Sequence, residues 1–397
     1  MRTIVVVGAS LAGLRAVETA RRLGYDGRLV LVGAEPGLPY DRPPLSKAFL
    51  TEADTEIAPF RGRSHYTELG VELRLGIPAT TLDTAHREVG LADGERLGFD
   101  GLILATGAKP RALPGTCDQA GIHVLRTADD AIALRGAMRR SRRIVVIGSG
   151  FIGSEIASSA GKNGLEVTMV EALPTPLAGA IGGKMGEICS LLHTDNGTRL
   201  RCGIGVTGVD MGNGGKRVRL ADGGEIDADL VVAGIGVSPA TEWLVGSGLA
   251  IDDGIVCDEM LCAGVPGIYA AGDVARWPNS LFGQSMRLEH WTSAAEQGAH
   301  AMRNLLAGGP GKPYTAVPYF WSDWYDSRIQ FLGIVGEEVR VVHGSADERR
   351  LIAVYRRGNR IVGALSLNWP TAIMKYRALI ARRATWPEAL AFEQVVA

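Results

Sequence analysis

Residues 142–153 read RRIVVIGSGFIG and carry the strongest indication of the fold in this chain. A run of apolar residues enters a glycine-rich turn, and the residues after the turn continue with small and apolar side chains. The pattern predicts a buried strand, a tight turn and a helix, which together form the first half of a βαβ unit. Gly148 allows the tight turn, Gly150 lets the backbone approach a pyrophosphate, and Gly153 allows the helix to pack closely.

The same pattern is already present 140 positions earlier, where residues 2–13 read RTIVVVGASLAG. In both copies an acid follows the second predicted strand, at Glu35 and at Glu171. Two βαβ units in one chain predict an α/β fold with two Rossmann-like dinucleotide-binding domains. The helices and second strands that we predict after the two turns span 14–23 and 29–32, and 154–162 and 166–170.

The second glycine turn is the clearer nucleotide site. Glu171 follows Gly148 by 23 positions, where an acid accepts hydrogen bonds from the adenosine ribose. A carboxylate there repels a 2′-phosphate, and Ala172 and Leu173 supply no arginine to receive one. The sequence therefore predicts NADH rather than NADPH, the alternative being a glycine turn that binds no ligand.

The first glycine turn departs from the pattern at one position. Ser10 occupies the place of the middle glycine, between Gly8 and Gly13, and is still small enough to let a phosphate approach. Glu35 lies 27 positions after Gly8. Two dinucleotide sites in one chain predict a hydride donor and a hydride acceptor, for which NADH and FAD are the usual combination.

Three further apolar stretches each end in a glycine-containing turn. Because ligands bind beyond the carboxyl ends of parallel strands, these turns are candidate walls of the cofactor sites. Asp273 is placed to accept hydrogen bonds from ribityl hydroxyls; capping of the next helix is a compatible alternative. The stretches and their turns are 101–105 with Thr106 and Gly107, 229–233 with Gly234 and Gly236, and 268–271 with Gly272 and Asp273.

The chain changes character after residue 313. Residues from Tyr314 onward are rich in Trp and Tyr, and predicted strands at 351–355 and 361–365 alternate with charged turns. Residues 308–313 resemble a linker. We therefore predict an FAD-binding domain over 1–112 and 236–313, an NAD-binding domain over 113–235 and a small α+β domain over 314–397.

Composition argues against some kinds of partner and indicates the compartment of the protein. Lys and Arg number 42 against 43 Asp and Glu, which argues against a nucleic-acid partner. No apolar run reaches the roughly 18 residues of a membrane span, and Ile4–Val7 is too short for a signal peptide. The five cysteines are scattered, so we expect a reduced cytoplasmic protein. Cys257 and Cys262 have no neighbouring histidine cluster, and we expect no metal site.

Residues 40–47 read YDRPPLSK. Together with the second glycine turn, Ala271–Asp273 and Glu289–Trp291, this stretch resembles the FAD-dependent ferredoxin reductases of bacterial oxygenase systems, which include the putidaredoxin, rubredoxin and biphenyl-dioxygenase-type reductases. The resemblance covers the whole chain. It implies an NADH:ferredoxin reductase that passes electrons to a [2Fe–2S] ferredoxin, which supplies a cytochrome P450 or a Rieske-type oxygenase.

The resemblance also implies roles for individual residues. Lys47 matches a lysine beside the reactive edge of the flavin, and Glu155 matches a glutamate near the nicotinamide or the flavin edge; both are predicted catalytic residues. The alternatives are a surface lysine that caps a helix and a first-turn acid favoured by the helix dipole. The predicted FAD-binding residues are Gly8, Ser10, Ala12, Gly13, Glu35, Arg42, Lys47, Ala79, Ala105, Thr106, Gly107, Arg126, Asp273 and Trp291, and the predicted NAD-binding residues are Gly148, Gly150, Ile152, Gly153, Glu171, Gly234 and Gly236.

Some positions depart from the family pattern. Family members often carry Asp at the position of Ala34, an arginine at that of Gly179 and Gln at that of Trp324. The alternative for Trp291, expected to pack on the flavin ring, is a core aromatic residue.

A basic docking face is expected for an acidic ferredoxin. By family position we predict Arg287 as the docking residue, with an ordinary solvated surface as the alternative. Further basic residues expected to add to that face are Arg328, Lys375, Arg377, Arg382 and Arg383.

Cysteine usage bears on the electron path. Disulfide reductases of this broad fold need a cysteine pair beside the flavin, whereas Cys117 is the only cysteine before Gly148. We therefore expect electrons to leave the flavin directly for an external acceptor. The alternatives are rubredoxin or another small carrier as acceptor, an NADH oxidase or peroxidase, which would need a reactive cysteine, and an NADH-responsive redox sensor like the apoptosis-inducing factors.

Overall fold

The computed structural model describes residues 1–113, 121–212, 215–309 and 311–392. Cys117 lies outside the described residues. In chain order, the helices are α1 (Leu11–Arg22), α2 (Ala48–Thr51), α3 (Arg63–Glu68), α4 (Ala128–Met138), α5 (Phe151–Lys162), α6 (Ala178–Ile181), α7 (Gly183–Asp195), α8 (Trp291–Ala307), α9 (Pro370–Ala381) and α10 (Trp386–Ala391), with short 3-10 helices at Pro43–Ser46, Glu242–Leu244 and Gly272–Val274.

The strands are short and mostly apolar. They are β1 (Thr3–Val7), β2 (Arg28–Gly33), β3 (Val71–Leu75), β4 (Ala79–Asp83), β5 (Glu88–Leu91), β6 (Arg96–Gly98), β7 (Gly101–Leu104), β8 (Ala108–Pro110), β9 (Ile122–His123), β10 (Arg143–Ile147), β11 (Glu166–Val170), β12 (Arg199–Arg201), β13 (Val206–Gly212), β14 (Gly215–Leu220), β15 (Glu225–Ala228), β16 (Leu230–Ala233), β17 (Val237–Pro239), β18 (Ile255–Val256), β19 (Ile268–Ala270), β20 (Ala275–Asn279), β21 (Gln284–Arg287), β22 (Tyr319–Trp324), β23 (Ser327–Gly333), β24 (Glu338–Ser345), β25 (Arg350–Arg357) and β26 (Arg360–Leu367).

The chain folds into two compact units, each assembled from separated segments. The first unit comprises Met1–Asp41, Ala58–Lys109 and Ser238–Pro318. The second comprises Arg42–Ile57, Pro110–Val237 and Tyr319–Ala397. The division into three domains at 112/113, 235/236 and 313/314 remains a prediction.

The first unit is built on a five-stranded parallel sheet in the order β19-β7-β1-β2-β3. Ile4, Val5 and Val6 are completely buried, as expected for a parallel strand covered on both faces. The strand order reverses beside β1, which pairs with both β2 and β7. The carboxyl end of β1 is therefore a topological switch point, the usual place for a nucleotide. This unit also contains two smaller sheets. The β4-β5-β6 sheet is antiparallel, whereas in β18-β20-β21 the β18–β20 pair is parallel and the β20–β21 pair is antiparallel.

The second unit repeats this design. Its parallel sheet has the order β12-β11-β10-β16-β9, and β10 pairs with both β11 and β16. An antiparallel sheet, β13-β14-β15, follows along the chain. The sequence therefore located both βαβ units correctly, although α1 and α5 begin three residues earlier than predicted, at Leu11 and Phe151. The glycine turns lead into the helices without an intervening loop.

The C-terminal part of the second unit is an antiparallel sheet in the order β22-β23-β26-β25-β24. Helix α9 packs on β23 and β26 and buries Ile373 and Tyr376. The predicted strands at 351–355 and 361–365 lie within β25 and β26, which confirms the expected α+β arrangement. None of the helices within the described ranges has both the length and the apolar composition needed to cross a membrane.

Candidate cofactor and catalytic sites

The first glycine turn joins β1 to α1 in the first unit. Gly8 has φ +121°, and a Cβ atom there would lie 2.0 Å from the carbonyl oxygen of Ala105. Ser10 is the N-cap residue of α1, yet among the described residues no side chain caps this helix, and its first turn contains no acid. The amide groups at the start of α1 are thus available to a phosphate.

The second glycine turn joins β10 to α5 in the second unit. Gly148 has φ +94°, and a Cβ atom there would lie 2.5 Å from the carbonyl oxygen of Gly234. Gly150 is the N-cap residue of α5, and a Cβ atom on it would meet nothing within 4 Å in the described structure. Helix α5 also has no side-chain cap among the described residues. The backbone is therefore open to a pyrophosphate, and Ile152 beside it is 42% exposed.

The two predicted ribose-binding acids have different hydrogen-bond partners. One oxygen of Glu171, Oε2, accepts hydrogen bonds from the backbone N of Ser149 at 2.7 Å and from its Oγ at 2.8 Å. Oε2 of Glu35 accepts a hydrogen bond from the hydroxyl of Tyr40 at 2.6 Å. Sequence reasoning missed both hydroxyl partners, although Tyr40 opens the stretch that carries the family resemblance.

The other predicted residues of the first unit lie at strand ends and helix starts. The Thr106 hydroxyl donates a hydrogen bond to the carbonyl oxygen of Ala240 at 2.9 Å, which fixes the turn after β7. Trp291 is the first residue of α8, is only partly buried and donates from Nε1 to Asp41 Oδ1 at 2.8 Å. Ala12 and Gly13 are the second and third residues of α1, Ala79 begins β4, and Ala105 and Gly107 follow β7.

Asp273 lies within the 3-10 helix Gly272–Val274, directly after β19. The N-cap residue of this short helix is Ala271, so the expectation that Asp273 caps it is wrong. The backbone N of Gly272 donates to Oε1 of Gln297 at 2.8 Å. The turn is therefore held by α8.

Arg287, the residue predicted to dock the ferredoxin, is mostly buried and is paired with two carboxylates. Its side chain is only 10% exposed and forms ion pairs with Asp253 at 3.2 Å and Glu289 at 2.9 Å. Its Nη1 donates to the carbonyl oxygen of Asp273 at 3.1 Å. Its charge is thus compensated within the first unit, and the residue supports the turn that carries Asp273. Of the other basic residues predicted for docking, Arg328 pairs with Asp323 and Arg382 with Glu388.

Arg42 and Arg126 contact each other in the second unit. Nη1 of Arg42 donates to the carbonyl oxygen of Arg126. The backbone N of Arg126 donates to Oδ2 of Asp130 at 3.0 Å, beside the capping box that Thr127 and Asp130 form at the start of α4. The cap fixes the backbone of Arg126.

The two predicted catalytic residues form an ion pair in the second unit, in which Glu155 is buried and Lys47 is partly exposed. Nζ of Lys47 lies 2.7 Å from Oε2 of Glu155, and Glu155 is only 3% exposed although it lies in a helix that begins at the nucleotide turn. The Ser46 hydroxyl donates to the same oxygen. Lys47 is the N-cap residue of α2, and its side chain is 23% exposed. Glu155 lies beyond the first turn of α5 and is held by specific donors, so the alternative of a first-turn acid does not fit it.

Two residues that sequence reasoning did not place in this site complete it. The Ser322 hydroxyl donates to Oε1 of Glu155 at 2.6 Å, and Nε1 of Trp324 donates to the Ser322 oxygen at 2.9 Å. Both side chains are fully buried. The departure from the family pattern at Trp324 was the only sequence signal that pointed here.

A buried histidine lies against Trp324. The ring of His193 lies 4.8 Å from the Trp324 ring, Nδ1 lies 2.9 Å from the Tyr325 hydroxyl, and Nε2 lies 3.2 Å from the Ser154 hydroxyl. Burial lowers the pKa of His193 to about 4 and raises the pKa of Tyr325 to about 12. The imidazole is therefore neutral near pH 7.

The cysteines of the described residues, Cys189, Cys202, Cys257 and Cys262, are free thiols. Burial raises the pKa of Cys189 and of Cys257 to about 12, which disfavours the thiolate form that redox chemistry requires. Within the ranges that the structure describes, no group of three or more His, Cys, Asp or Glu side chains is arranged to hold a metal.

The sequence matches two protein-family descriptions. Residues 2–298 match "Pyridine nucleotide-disulphide oxidoreductase", and residues 319–397 match "Reductase C-terminal". The two matches together include both glycine turns, the Lys47–Glu155 pair, Ser322 and Trp324.

Known proteins resemble the chain over nearly its whole length. It is 38% identical over 383 residues to rhodocoxin reductase of Rhodococcus erythropolis, covering 96% of this chain and 89% of that one. It is 37% identical over 382 residues to the ferredoxin–NAD(+) reductase component of the anthranilate 1,2-dioxygenase system of Burkholderia cepacia, covering 95% and 93%. The crystal structure of the covalent putidaredoxin reductase–putidaredoxin complex matches with a TM-score of 0.93 and 31% identity, covering 99% of this chain and 96% of that chain.

Proposed function

Because the chain belongs to the pyridine nucleotide-disulphide oxidoreductase family, and within it to the ferredoxin reductases, we propose that it passes electrons from NADH through FAD to a [2Fe–2S] ferredoxin. The family membership confirms the resemblance drawn from residues 40–47, and with it FAD and NADH as the nucleotides of this oxidoreductase. The ferredoxin in turn supplies an oxygenase of the cytochrome P450 or Rieske type.

The observation that carries the proposal is the pair of glycine turns. Each joins a buried parallel strand to a helix that no described side chain caps, and each is followed by an acid at the end of the next strand. A helix N-terminus without a side-chain cap, at a sheet switch point, fits a dinucleotide pyrophosphate. The duplication supports one site for FAD and one for NADH.

The first unit supplies most of the residues proposed to hold FAD. The amides at the start of α1 bind its pyrophosphate, Glu35 binds the adenosine ribose, and Asp273 binds ribityl hydroxyls. When bound, FAD accepts a hydride and releases electrons singly, which NADH alone does not do. The remaining charged residues proposed for this cofactor are Arg42, Lys47 and Arg126.

The NADH site is proposed within the second unit. The amides at the start of α5 bind the pyrophosphate beside the open backbone at Gly150. Glu171 accepts hydrogen bonds from the adenosine ribose, and its charge disfavours a 2′-phosphate. Gly234 and Gly236 follow β16 and form the opposite wall, since a Cβ atom at Gly148 would contact Gly234.

Lys47 is proposed to place a positive charge where negative charge develops on the reduced cofactor. The Glu155 carboxylate pairs with the Lys47 ammonium group. The Ser46 hydroxyl donates to the same carboxylate oxygen and so helps to fix the pair. Preorganised charges of this kind act strongly in a site from which water is excluded. The role proposed for the ion pair is therefore to fix the position of the Lys47 charge, and neither residue forms a covalent bond in the reaction.

The partner follows from the relatives. One is described as the reductase component of a dioxygenase system, and the solved complex joins a related reductase to putidaredoxin. We extend this partnership to the present chain, with rubredoxin as the competing acceptor. The free thiols of the described cysteines support a reducing, cytoplasmic compartment.

The test uses the purified yellow holoprotein without oxygen. Added NADH is expected to bleach the flavin absorbance, and cytochrome c reduction is expected to depend on added [2Fe–2S] ferredoxin and to fall with rising salt. A rubredoxin arm under the same conditions identifies the competing acceptor. A flavin that NADH does not bleach, or turnover that neither carrier accelerates, would contradict the proposal.

A further inference from the structure

A buried chain of hydrogen bonds runs from Trp324 to Lys47 inside the second unit. Nε1 of Trp324 donates to the oxygen of Ser322 at 2.9 Å, and the Ser322 hydroxyl donates to Oε1 of Glu155 at 2.6 Å. The other carboxylate oxygen, Oε2, receives Nζ of Lys47 at 2.7 Å and the Ser46 hydroxyl. Both oxygens of one carboxylate are therefore held by donors on different segments.

The direction of this chain is fixed by its two ends. An indole N–H can only donate, and an ionised carboxylate can only accept. The Ser322 oxygen must therefore accept from Trp324 with a lone pair, which leaves its proton for Glu155. Without the indole, the Ser322 hydroxyl would be free to rotate away from the carboxylate.

Trp324 is itself held in one orientation. Its side chain is fully buried, and its ring lies 4.8 Å from the ring of His193. His193 is fixed in turn by the hydroxyls of Tyr325 and Ser154 at its two nitrogens. The indole N–H therefore keeps its direction towards Ser322, because the ring is buried and packs against a histidine that is itself fixed by hydrogen bonds.

We propose that Trp324 and Ser322 are positioning residues for the Lys47–Glu155 pair. They act by holding the Glu155 carboxylate and by sharing its negative charge, so that the field of the Lys47 ammonium is less fully cancelled by its partner. This inference rests on the proposed function, in which Lys47 faces the flavin. It predicts that the donor atom at residue 324 matters more than the aromatic ring.

The expected effect is electrostatic. A buried carboxylate that loses one donor holds its remaining donors more strongly, because fewer protons share the same charge. Loss of the Ser322 hydrogen bond should therefore concentrate the Glu155 charge on Lys47 and weaken the field that the ammonium projects. A weaker positive field disfavours the reduced, anionic cofactor.

The experiment compares W324F, W324Q, S322A and the double variant W324F/S322A. The midpoint potential of bound FAD is measured by anaerobic dithionite titration, without NADH or ferredoxin, and reduction by NADH is followed separately by stopped flow. W324F and S322A should each lower the midpoint potential of FAD. Each should also slow the rate of flavin reduction by NADH about three- to tenfold. W324Q keeps an N–H donor and should restore most of both quantities.

Two controls separate positioning from packing. W277F makes the same truncation at another fully buried tryptophan, whose Nε1 has no hydrogen-bond partner among the described residues, and should leave the potential unchanged. Urea unfolding of each holoprotein measures how much stability each variant loses in total. If Trp324 acts through Ser322, the W324F shift disappears in the S322A background.

The outcomes are distinct. An unchanged potential in W324F and S322A, additive shifts in the double variant, or a W324Q protein that behaves like W324F would each overturn the inference while NADH still reduces the wild-type flavin. Failure of NADH to reduce the wild-type flavin would instead contradict the proposed function. Because the dithionite titration uses no NADH, the two failures are told apart.

Discussion

Ser149 and Glu171 are joined by two hydrogen bonds that end on the same carboxylate oxygen, one from the backbone N at 2.7 Å and one from the hydroxyl at 2.8 Å. The glycine turn therefore positions the acid that is proposed to select the nucleotide. The second carboxylate oxygen accepts from the backbone N of Leu173 at 2.8 Å. The carboxylate is held in place by its own strand end and by the turn together.

We expect E171Q to lower kcat/KM for NADH about 10- to 100-fold, because a neutral amide is a weaker acceptor for ribose hydroxyls than a carboxylate. The ratio of NADPH to NADH activity should rise, since the charge that repels a 2′-phosphate is gone. Steady-state kinetics with both nucleotides measure this. S149A is the matched control, because the backbone hydrogen bond remains, and should change kcat/KM less than about threefold. Equal losses in the two variants would contradict a direct role for the carboxylate.

The two glycines of the second turn should separate folding from binding. G148A introduces a Cβ atom 2.5 Å from a backbone oxygen at a positive φ, so the free energy of unfolding should fall by about 2 kcal/mol or more. G150A introduces a methyl group into open space and should change stability by less than about 0.5 kcal/mol. Its KM for NADH should rise, because the methyl group occupies the pyrophosphate approach. A normal KM for G150A would place the nucleotide elsewhere.

Arg287 should matter for FAD retention rather than for ferredoxin docking. R287Q removes the donor to the Asp273 carbonyl and leaves Asp253 and Glu289 without their shared cation. We expect the Kd for FAD to rise about tenfold, with an unchanged KM for ferredoxin once FAD is saturating. Fluorescence titration of the apoprotein measures the Kd. As a control, R276Q removes a charge from the neighbouring Arg276–Asp252 pair and should leave the Kd for FAD unchanged. A raised KM for ferredoxin in R287Q, but not in R276Q, would support the docking role instead.

His193 should make stability depend on pH. Burial lowers its pKa to about 4 in the folded protein, whereas the unfolded side chain titrates near 6.5. Between these values the unfolded chain binds the extra proton, so the free energy of unfolding falls as the pH drops below 6.5 and levels off near 4. This group should contribute about 2 kcal/mol of loss between pH 7.5 and 5.

Urea unfolding of the FAD-saturated protein at pH 7.5 and 5 measures this contribution. H193Q has no titratable ring, so its stability should change by correspondingly less between the two pH values. If wild type and H193Q lose stability in parallel, the imidazole does not account for the pH dependence.

The sequence predicted those parts of the fold that are determined by the order of residue types along a short stretch of chain. A buried parallel strand, a glycine turn and a helix leave a continuous pattern in the chain, and both βαβ units were predicted for that reason. The C-terminal strands β25 and β26 were also recognised, because their apolar runs are bounded by charged turns. Helix starts were less accurate, since glycine and serine at α1 and α5 resemble loop residues until a strand is placed before them.

The sequence identified residues of the candidate site only where the residue type at that position has one characteristic role. Lys47 and Glu155 were identified by resemblance, but their direct pairing depends on folding segments more than 100 positions apart. Ser322 carried no signal, and Tyr40 was noted only as part of the stretch that carries the family resemblance, because single hydroxyls are common and their partners are set by tertiary structure. The docking role of Arg287 remains a prediction, but the sequence did not show that this arginine lies between two carboxylates.

The pairing of β19 with β7 has a consequence for synthesis of the protein. Ile268 lies opposite Leu102, so an edge of the first sheet is supplied by residues made long after its other four strands. A nascent chain must therefore expose the unpaired side of β7 until β19 has been translated, and co-translational chaperone binding is expected to be strongest while residues 105–267 are made.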